Sequence, residues 1–269
     1  MTDNASISMI KKSIVVFVLL TFALSSISWF LLNGAIKNIM LMWTPGIAAL
    51  VTAFIFFRSV RDFGWGPGKV KYLAIAFLFP FLTNIITYGI LWLLGLGTYT
   101  GDWHTTIIFY TVTPLFSIFL GLGEEIGWRG FLVPQLAKLT TFTWVALISG
   151  IIWALWHFPM TIMGLYVAET PLWWSLPIFF MGVITFSFVL AWLTMKSGSL
   201  WPAVILHGID NYVTQKVFAP LAGGDMISYY VGESGIITLL VMLVFAIIFW
   251  MLRDRLPDLR VSKTDKPAG

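Results

Sequence analysis

The chain alternates long apolar runs with short polar connectors, and the runs are too long for the core helices of a water-soluble protein. About 20 apolar residues cross the hydrocarbon layer of a membrane. Eight runs approach or exceed that length: 13–33, 40–57, 72–95, 107–126, 143–163, 172–195, 199–219 and 235–252. Each predicts an α-helix, because a helix satisfies its own backbone hydrogen bonds in lipid. The expected fold is all-α, a polytopic bundle of about eight transmembrane helices forming a single transmembrane domain over residues 1–269. Lys11 and Lys12 precede the first run as they would in a signal peptide. The run continues through Trp29, Phe30, Leu31 and Leu32 without a small-residue cleavage site, so it is read as a retained helix.

Charge sharpens this topology. Only 10% of the residues are charged and 59% are hydrophobic, against roughly 25% charged in ordinary soluble domains. A cytoplasmic N-terminus puts Arg58, Arg61, Lys69, Lys71, Arg129, Lys138 and Lys196 inside, together with Arg253, Arg255, Arg260, Lys263 and Lys266 of the tail. Lys37 and Lys216 alone fall near the outside. That bias follows the positive-inside rule and predicts an even number of spans with both termini cytoplasmic. The net charge of +4 is therefore topological and does not point to nucleic acid. With no cysteine, disulfides, thiolate catalysis, iron–sulfur clusters and cysteine zinc sites are excluded. Gly64–Gly68 reads as a turn-forming connector, and the polar tail at about 254–269 is expected to be disordered.

Polar residues inside the runs carry the chemistry. Glu124, Glu125 and Arg129 follow an almost uncharged stretch from Ile107 to Gly123. Each ionised group at the bilayer centre costs roughly 2.5–3.5 kcal/mol on insertion scales, so three kept together point to use. The competing reading has them snorkel at the cytoplasmic interface. Apolar character continues past Arg129 to Leu136, which predicts one long helix bent between Pro114 and Pro134. Gly123 and Gly127 leave room for a neighbouring helix to approach closely. Glu125 and Arg129 lie at i and i+4 and can pair, whereas Glu124 is turned by about 100°. Glu125 is thus read as structural and Glu124 as the carboxylate free to face a cavity and act as a base.

Two histidines in later runs look like partners. His157 lies one turn after Trp153 on the same helix face. His207 and Asn211 are also i and i+4, two adjacent donors of the kind that stabilise an oxyanion, each worth roughly 10²–10³ in rate. An interhelical polar clamp is the structural alternative for that pair. Asp210 points elsewhere, open between orienting a histidine and pairing with another group. Asn84 and Gln215 are read as packing, with Gln215 extending the His207–Asn211 face, and His104 as a solvated loop residue.

In chain order these residues give E-E-x-x-x-R at Glu124, Glu125 and Arg129, aromatic-x-x-x-H at Trp153 and His157, and H-x-x-x-N at His207 and Asn211. The set resembles the CPBP family of intramembrane proteases, which groups CAAX prenyl endopeptidases with bacterial relatives linked to bacteriocin processing and self-immunity, also called the Abi family. The resemblance covers about 107–219, and the family often carries Phe where this chain has Trp153.

It implies a hydrolase of the CAAX-protease type, an endopeptidase embedded in a bacterial plasma membrane. Glu124 with His157 would activate a water, His207 with Asn211 would form the oxyanion hole, and Glu125, Arg129 and Trp153 would support them. The implied partners are a peptide or protein substrate, with or without a lipid modification, and the bilayer. Family members have been classed both as metalloproteases and as metal-independent glutamate proteases. If a metal such as zinc takes part, Glu124, His157 and His207 are the available ligands, although the H-E-x-x-H spacing is absent. Metal-independent water activation is the favoured expectation, with cleavage in the cytoplasmic half of the bilayer. The alternative function is a non-catalytic immunity or regulatory protein on the same scaffold. One difficulty is depth: counted from the predicted cytoplasmic ends, His157 lies about 21 Å in and His207 about 12 Å, nearly two turns apart.

Overall fold

Long helices follow the apolar runs closely. The structure, a computed structural model, describes residues 3–167 and 169–261. The first three helices are α1 (Asp3–Leu31), α2 (Gly34–Phe57) and α3 (Val70–Leu93). Next, α4 (Ile107–Glu125) continues through a π turn (Ile126–Leu132) into α5 (Val133–Ala137). Then come α6 (Phe142–Ile162), α7 (Leu172–Ser197) and α8 (Trp201–Tyr212), the last extended by a second π turn (Val213–Phe218). A short α9 (Ile227–Tyr230) precedes α10 (Ile236–Met251), and β1 (Thr98–Tyr99) pairs antiparallel with β2 (Ala222–Gly223).

Among the described residues seven helices are long and apolar enough to cross a membrane, with Ile107–Ala137 counting as one. The predicted span 199–219 is α8 with its π turn, shorter and more polar than the others. It crosses the bundle nonetheless, as the connections show. One face is knit from the α2–α3, α5–α6 and α7–α8 connections and the C-terminal segment. There Lys138 pairs with Asp62 at 3.2 Å, the Leu200 amide donates to the Gly64 carbonyl at 3.0 Å and the Val261 amide to the Lys138 carbonyl at 3.0 Å. The opposite face gathers the α3–α4, α6–α7 and α8–α10 connections, where Thr98 faces Gly223 in the ladder and Trp174 Nε1 donates to the Ser234 carbonyl at 3.0 Å. Connections therefore alternate between faces, which gives eight traverses. Arg58, Arg61, Lys69, Lys138, Lys196, Arg253, Arg255 and Arg260 all belong to the first, basic face.

Residues 254–261, expected to be disordered, run back along this basic face. Lys196 Nζ donates to the Arg255 carbonyl, and Arg260 pairs with Asp258 at 2.6 Å. The polarity of the tail was readable, but its partners on other connections were not. Residues 262–269 lie outside the described residues.

The bundle is tightest around α4. A Cβ on Gly127 would stand 2.7 Å from the Pro45 carbonyl oxygen of α2, and one on Gly123 would stand 2.7 Å from the Met42 oxygen. On the other side a Cβ on Gly208 of α8 would meet Ile118 Cα at 2.5 Å. Backbone thus touches backbone on both flanks of α4, which is what small residues permit in lipid. The break expected between Pro114 and Pro134 falls at the π turn, where the hydrogen-bond ladder slips by one residue. Beside it the fully buried Trp128 and Trp156 meet edge to face at 5.9 Å, and Trp156 Nε1 donates to Ser25 Oγ of α1 at 2.7 Å. Apolar side chains such as Phe54 and Leu93 cover the outside, 73% and 87% exposed to what is lipid in the membrane.

Gly127→Val and Gly208→Val should each lower the thermal unfolding midpoint of the detergent-solubilised protein, with a destabilisation of about 1–3 kcal/mol or more. Phe54→Leu on the lipid face should leave it within about 0.5 kcal/mol. Unchanged midpoints for both glycine variants would contradict the backbone contacts.

Candidate active site

The π turn after Glu125 keeps the fourth traverse helical as far as Ala137, so the acidic pair lies near its middle. Arg129, expected to lie inside with the cytoplasmic basic residues, is instead buried at 1% exposure. Burial of an arginine demands compensation. It finds three partners. Arg129 Nη1 donates to Glu125 Oε1 at 2.8 Å, Nη2 donates to Ser187 Oγ of α7 at 3.2 Å, and the guanidinium lies 4.2 Å from the Trp153 ring centre. His207 Nδ1 lies 2.8 Å from the same Glu125 oxygen. Glu125 is thereby tied to α8 as well as to its own helix.

Glu124 has different company. Its Oε2 accepts from Trp153 Nε1 at 2.8 Å and from Trp128 Nε1 at 3.4 Å. It borders a cavity of about 480 Å³ that Trp153, His157, His207 and Asn211 also line. The i, i+4 phasing thus separates the two carboxylates spatially, with Glu125 held behind Glu124 in the ion-paired network.

His157 touches Trp153 rather than Glu124. Its Nδ1 lies 2.9 Å from the Trp153 carbonyl, which can only accept, so Nδ1 carries a proton and in the neutral ring Nε2 holds the lone pair. Trp153 therefore bridges the pair, its indole bonded to Glu124 and its carbonyl to His157. The depth mismatch between the histidines disappears because α8 starts below the surface. Ser199 and Leu200 are buried at 1% and 0% beneath the Gly64–Gly68 connection, so a count from the surface places His207 too shallow. The Trp153 and His207 rings meet with centroids 5.3 Å apart.

The cavity has two unlike walls. Thr83, Asn84 and Thr87 of α3 and Asn211, Thr214 and Gln215 after His207 make one polar, and Asn84 Nδ2 donates to Thr214 Oγ1 at 3.0 Å. Phe179, Val183 and Phe186 of α7 and Met242 of α10 make the other apolar. Asn84 and Gln215, read as packing, thus also line the cavity, as does Asp210. Sequence reasoning missed Glu233, which lies in the connection before α10. It accepts from Gln215 Nε2 at 2.6 Å and from the Tyr166 hydroxyl. Burial pushes its carboxyl upward, and the bonds from Tyr166 and Gln215 pull it back. An acid in a glycine-flanked connector looks solvated, so the sequence carried no usable signal for it. His104 is exposed in the α3–α4 connection with its ring stacked on Phe109, as a loop residue should be.

Among the described residues, no three histidine, aspartate or glutamate side chains converge as metal ligands. Glu124, His157 and His207 share a cavity but direct oxygen or Nδ1 atoms to Trp153 and Glu125. This arrangement leaves Nε2 of both rings uncommitted, and Nδ1 bonds to a carbonyl or a carboxylate are ones that metal-binding histidines also make. What it does offer is a carboxylate, an unprotonated imidazole nitrogen and two polar side chains around one space.

Arg129→Met would leave Glu125 buried with one cationic partner fewer, at an expected cost of about 3–5 kcal/mol. Arg129→Lys should cost less, since charge is kept and the fork is lost. Unfolding midpoints in detergent test that order, and equal midpoints for both variants would refute it.

Comparison with known proteins locates the same half of the chain. Residues 106–213 match the family model described as Type II CAAX prenyl endopeptidase Rce1-like. The matched segment begins at Thr106, just before α4, and ends at Val213, just after α8. It contains every residue from Glu124 to Asn211 discussed above. The chain is also 25% identical over 243 residues to the CAAX prenyl protease 2 of Methanococcus maripaludis, covering 79% of this chain and 88% of that protein. Through its residues 106–213 the chain is thus similar to the Rce1-like CAAX prenyl endopeptidases, and the similarity covers the helices that carry the site.

Proposed function

We propose that this protein is an intramembrane endopeptidase whose cavity binds a peptide segment and whose Glu124 acts as general base. The observation that carries this reading is the separation of roles on one helix. Glu124 borders the cavity, while Glu125 is tied up behind it by Arg129 and His207. A water between Glu124 and the scissile carbonyl gives its proton to the carboxylate and its oxygen to the carbonyl carbon. The resulting tetrahedral oxyanion is stabilised by His207 and Asn211. The Glu124 proton then passes to the leaving nitrogen as the C–N bond breaks. His157 Nε2, its lone pair free, relays or steadies that proton.

Charge counting supports His207 as a donor. Nδ1 is engaged with Glu125, so Nε2 is the nitrogen left for the oxyanion. With both glutamates as carboxylates, Arg129 and an imidazolium at His207 make the four-group cluster neutral, which suits a site with little water. The substrate is a peptide or protein held at the membrane, and the basic face is taken as cytoplasmic.

Peptide termini in membranes and medium, compared between cells carrying wild type and Glu124→Gln, test the reading. Products that depend on the protein should vanish in the variant, and products that persist would refute Glu124 as base. Asn211→Ala should lower kcat by about 10²–10³ with the fold retained. Trp153→Phe keeps the ring but removes the N–H bond to Glu124, so it should lower kcat and leave KM nearly unchanged.

A further inference from the structure

The cavity is one-sided. Its deep end lies at Glu124, Trp153 and His207, and its outer end reaches Leu165, Tyr166, Lys216, Gly232 and Glu233. Those outer residues belong to the α6–α7 and α8–α10 connections, on the face opposite the basic one. The helix positions agree. Asn38 near the start of α2 and Thr238 near the start of α10 line it, and both helices begin on that opposite face. The basic face contributes no lining residue from 58–69, 138–141, 197–200 or 252–261. There the Gly64–Gly68 connection covers the start of α8, with Ser199 Oγ donating to the Gly66 carbonyl at 2.5 Å and Trp201 Nε1 to the Trp65 carbonyl at 2.7 Å.

Charge gives the two faces their sides. Arg and Lys residues crowd the basic face. Described charges on the other are Lys37 and Lys216 against Asp102, Glu169, Asp225 and Glu233. Short connections rich in Lys and Arg stay in the cytoplasm. A cavity sealed toward the cytoplasm and open on the other side cannot be reached directly by a cytosolic chain end.

We propose that the cavity admits its substrate from the extracytoplasmic side, so that the substrate class is a translocated polypeptide: a secreted peptide or the outer juxtamembrane segment of a membrane protein. This rests on the protease reading for what happens at Glu124, but the direction of access rests on the cavity and the charges alone. It concerns the route of entry and leaves the depth of cleavage where it was expected, since Glu124 is 17 residues from Ile107 and 13 from Ala137 at the basic face. From Ile107, at the open face, to Glu124 is 17 residues of helix, roughly 26 Å, so an extended segment must thread inward to be cut.

The absence of cysteine makes a direct test simple. Single variants Asp225→Cys on the open face, Arg61→Cys on the basic face and Ser117→Cys on the cavity wall are exposed, in intact cells and in inverted vesicles, to a small membrane-impermeant methanethiosulfonate. Asp225→Cys and Ser117→Cys should react in intact cells and be protected in inverted vesicles, and Arg61→Cys should do the reverse. Reaction of Ser117→Cys from the cytoplasmic side, or from neither side while Asp225→Cys reacts, overturns the proposal. So does an inverted pattern for Asp225→Cys and Arg61→Cys. Labelling is read without any proteolysis, so a failure of the protease reading through Glu124→Gln would leave this result standing, and the converse holds as well.

Discussion

One carboxylate oxygen organises the centre of this bundle. Glu125 Oε1 meets Arg129 from its own helix and His207 from α8, and Arg129 reaches on to Ser187 of α7. Burying such charges costs several kcal/mol per ion, which only close and well-aligned partners offset. The network is not fully satisfied, since Glu125 Oε2 and Arg129 Nε have no hydrogen-bond partner among the described residues. Its chief contribution is therefore registry. It fixes how α4, α7 and α8 are phased about one another, and the orientation of Glu124 toward the cavity follows from that phasing.

Registry of this kind requires helices close enough for short side chains to meet. Here glycines on α4 and α8 remove the intervening bulk, and the backbones touch at Gly208 and Ile118. The same device on the other flank seats α4 against Pro45 of α2. The electrostatic centre and the small-residue seams are thus two halves of a single constraint, because neither has the right geometry without the other.

Much of this was legible in the chain. Apolar run lengths gave the helices, and i, i+4 spacing separated Glu124 from Glu125 and joined His207 to Asn211. Period and hydropathy are local quantities, and these are local facts. The rest depends on contacts distant in sequence. Arg129 looked like an interfacial residue because the apolar run was cut at 126, whereas the π turn carries the helix on to Ala137. His207 looked too shallow because nothing local says that the Gly64–Gly68 connection lies over the start of α8. Glu233 was invisible for a similar reason: its partners Tyr166 and Gln215 are 67 and 18 residues away. Trp153 looked like a conservative stand-in for phenylalanine, yet its indole nitrogen bonds the carboxylate.

The two unlike walls of the cavity bear on the order of events during hydrolysis. In a uniformly apolar slot, a bound peptide would expel the solvent needed to cut it, and turnover would require the two to alternate. Here the α3 wall, with Thr83, Asn84 and Thr87, can keep a file of hydrogen-bonded water while side chains of a guest occupy the Phe179, Val183 and Phe186 side. Under the proposed function, water supply and peptide binding therefore use different walls of one cavity.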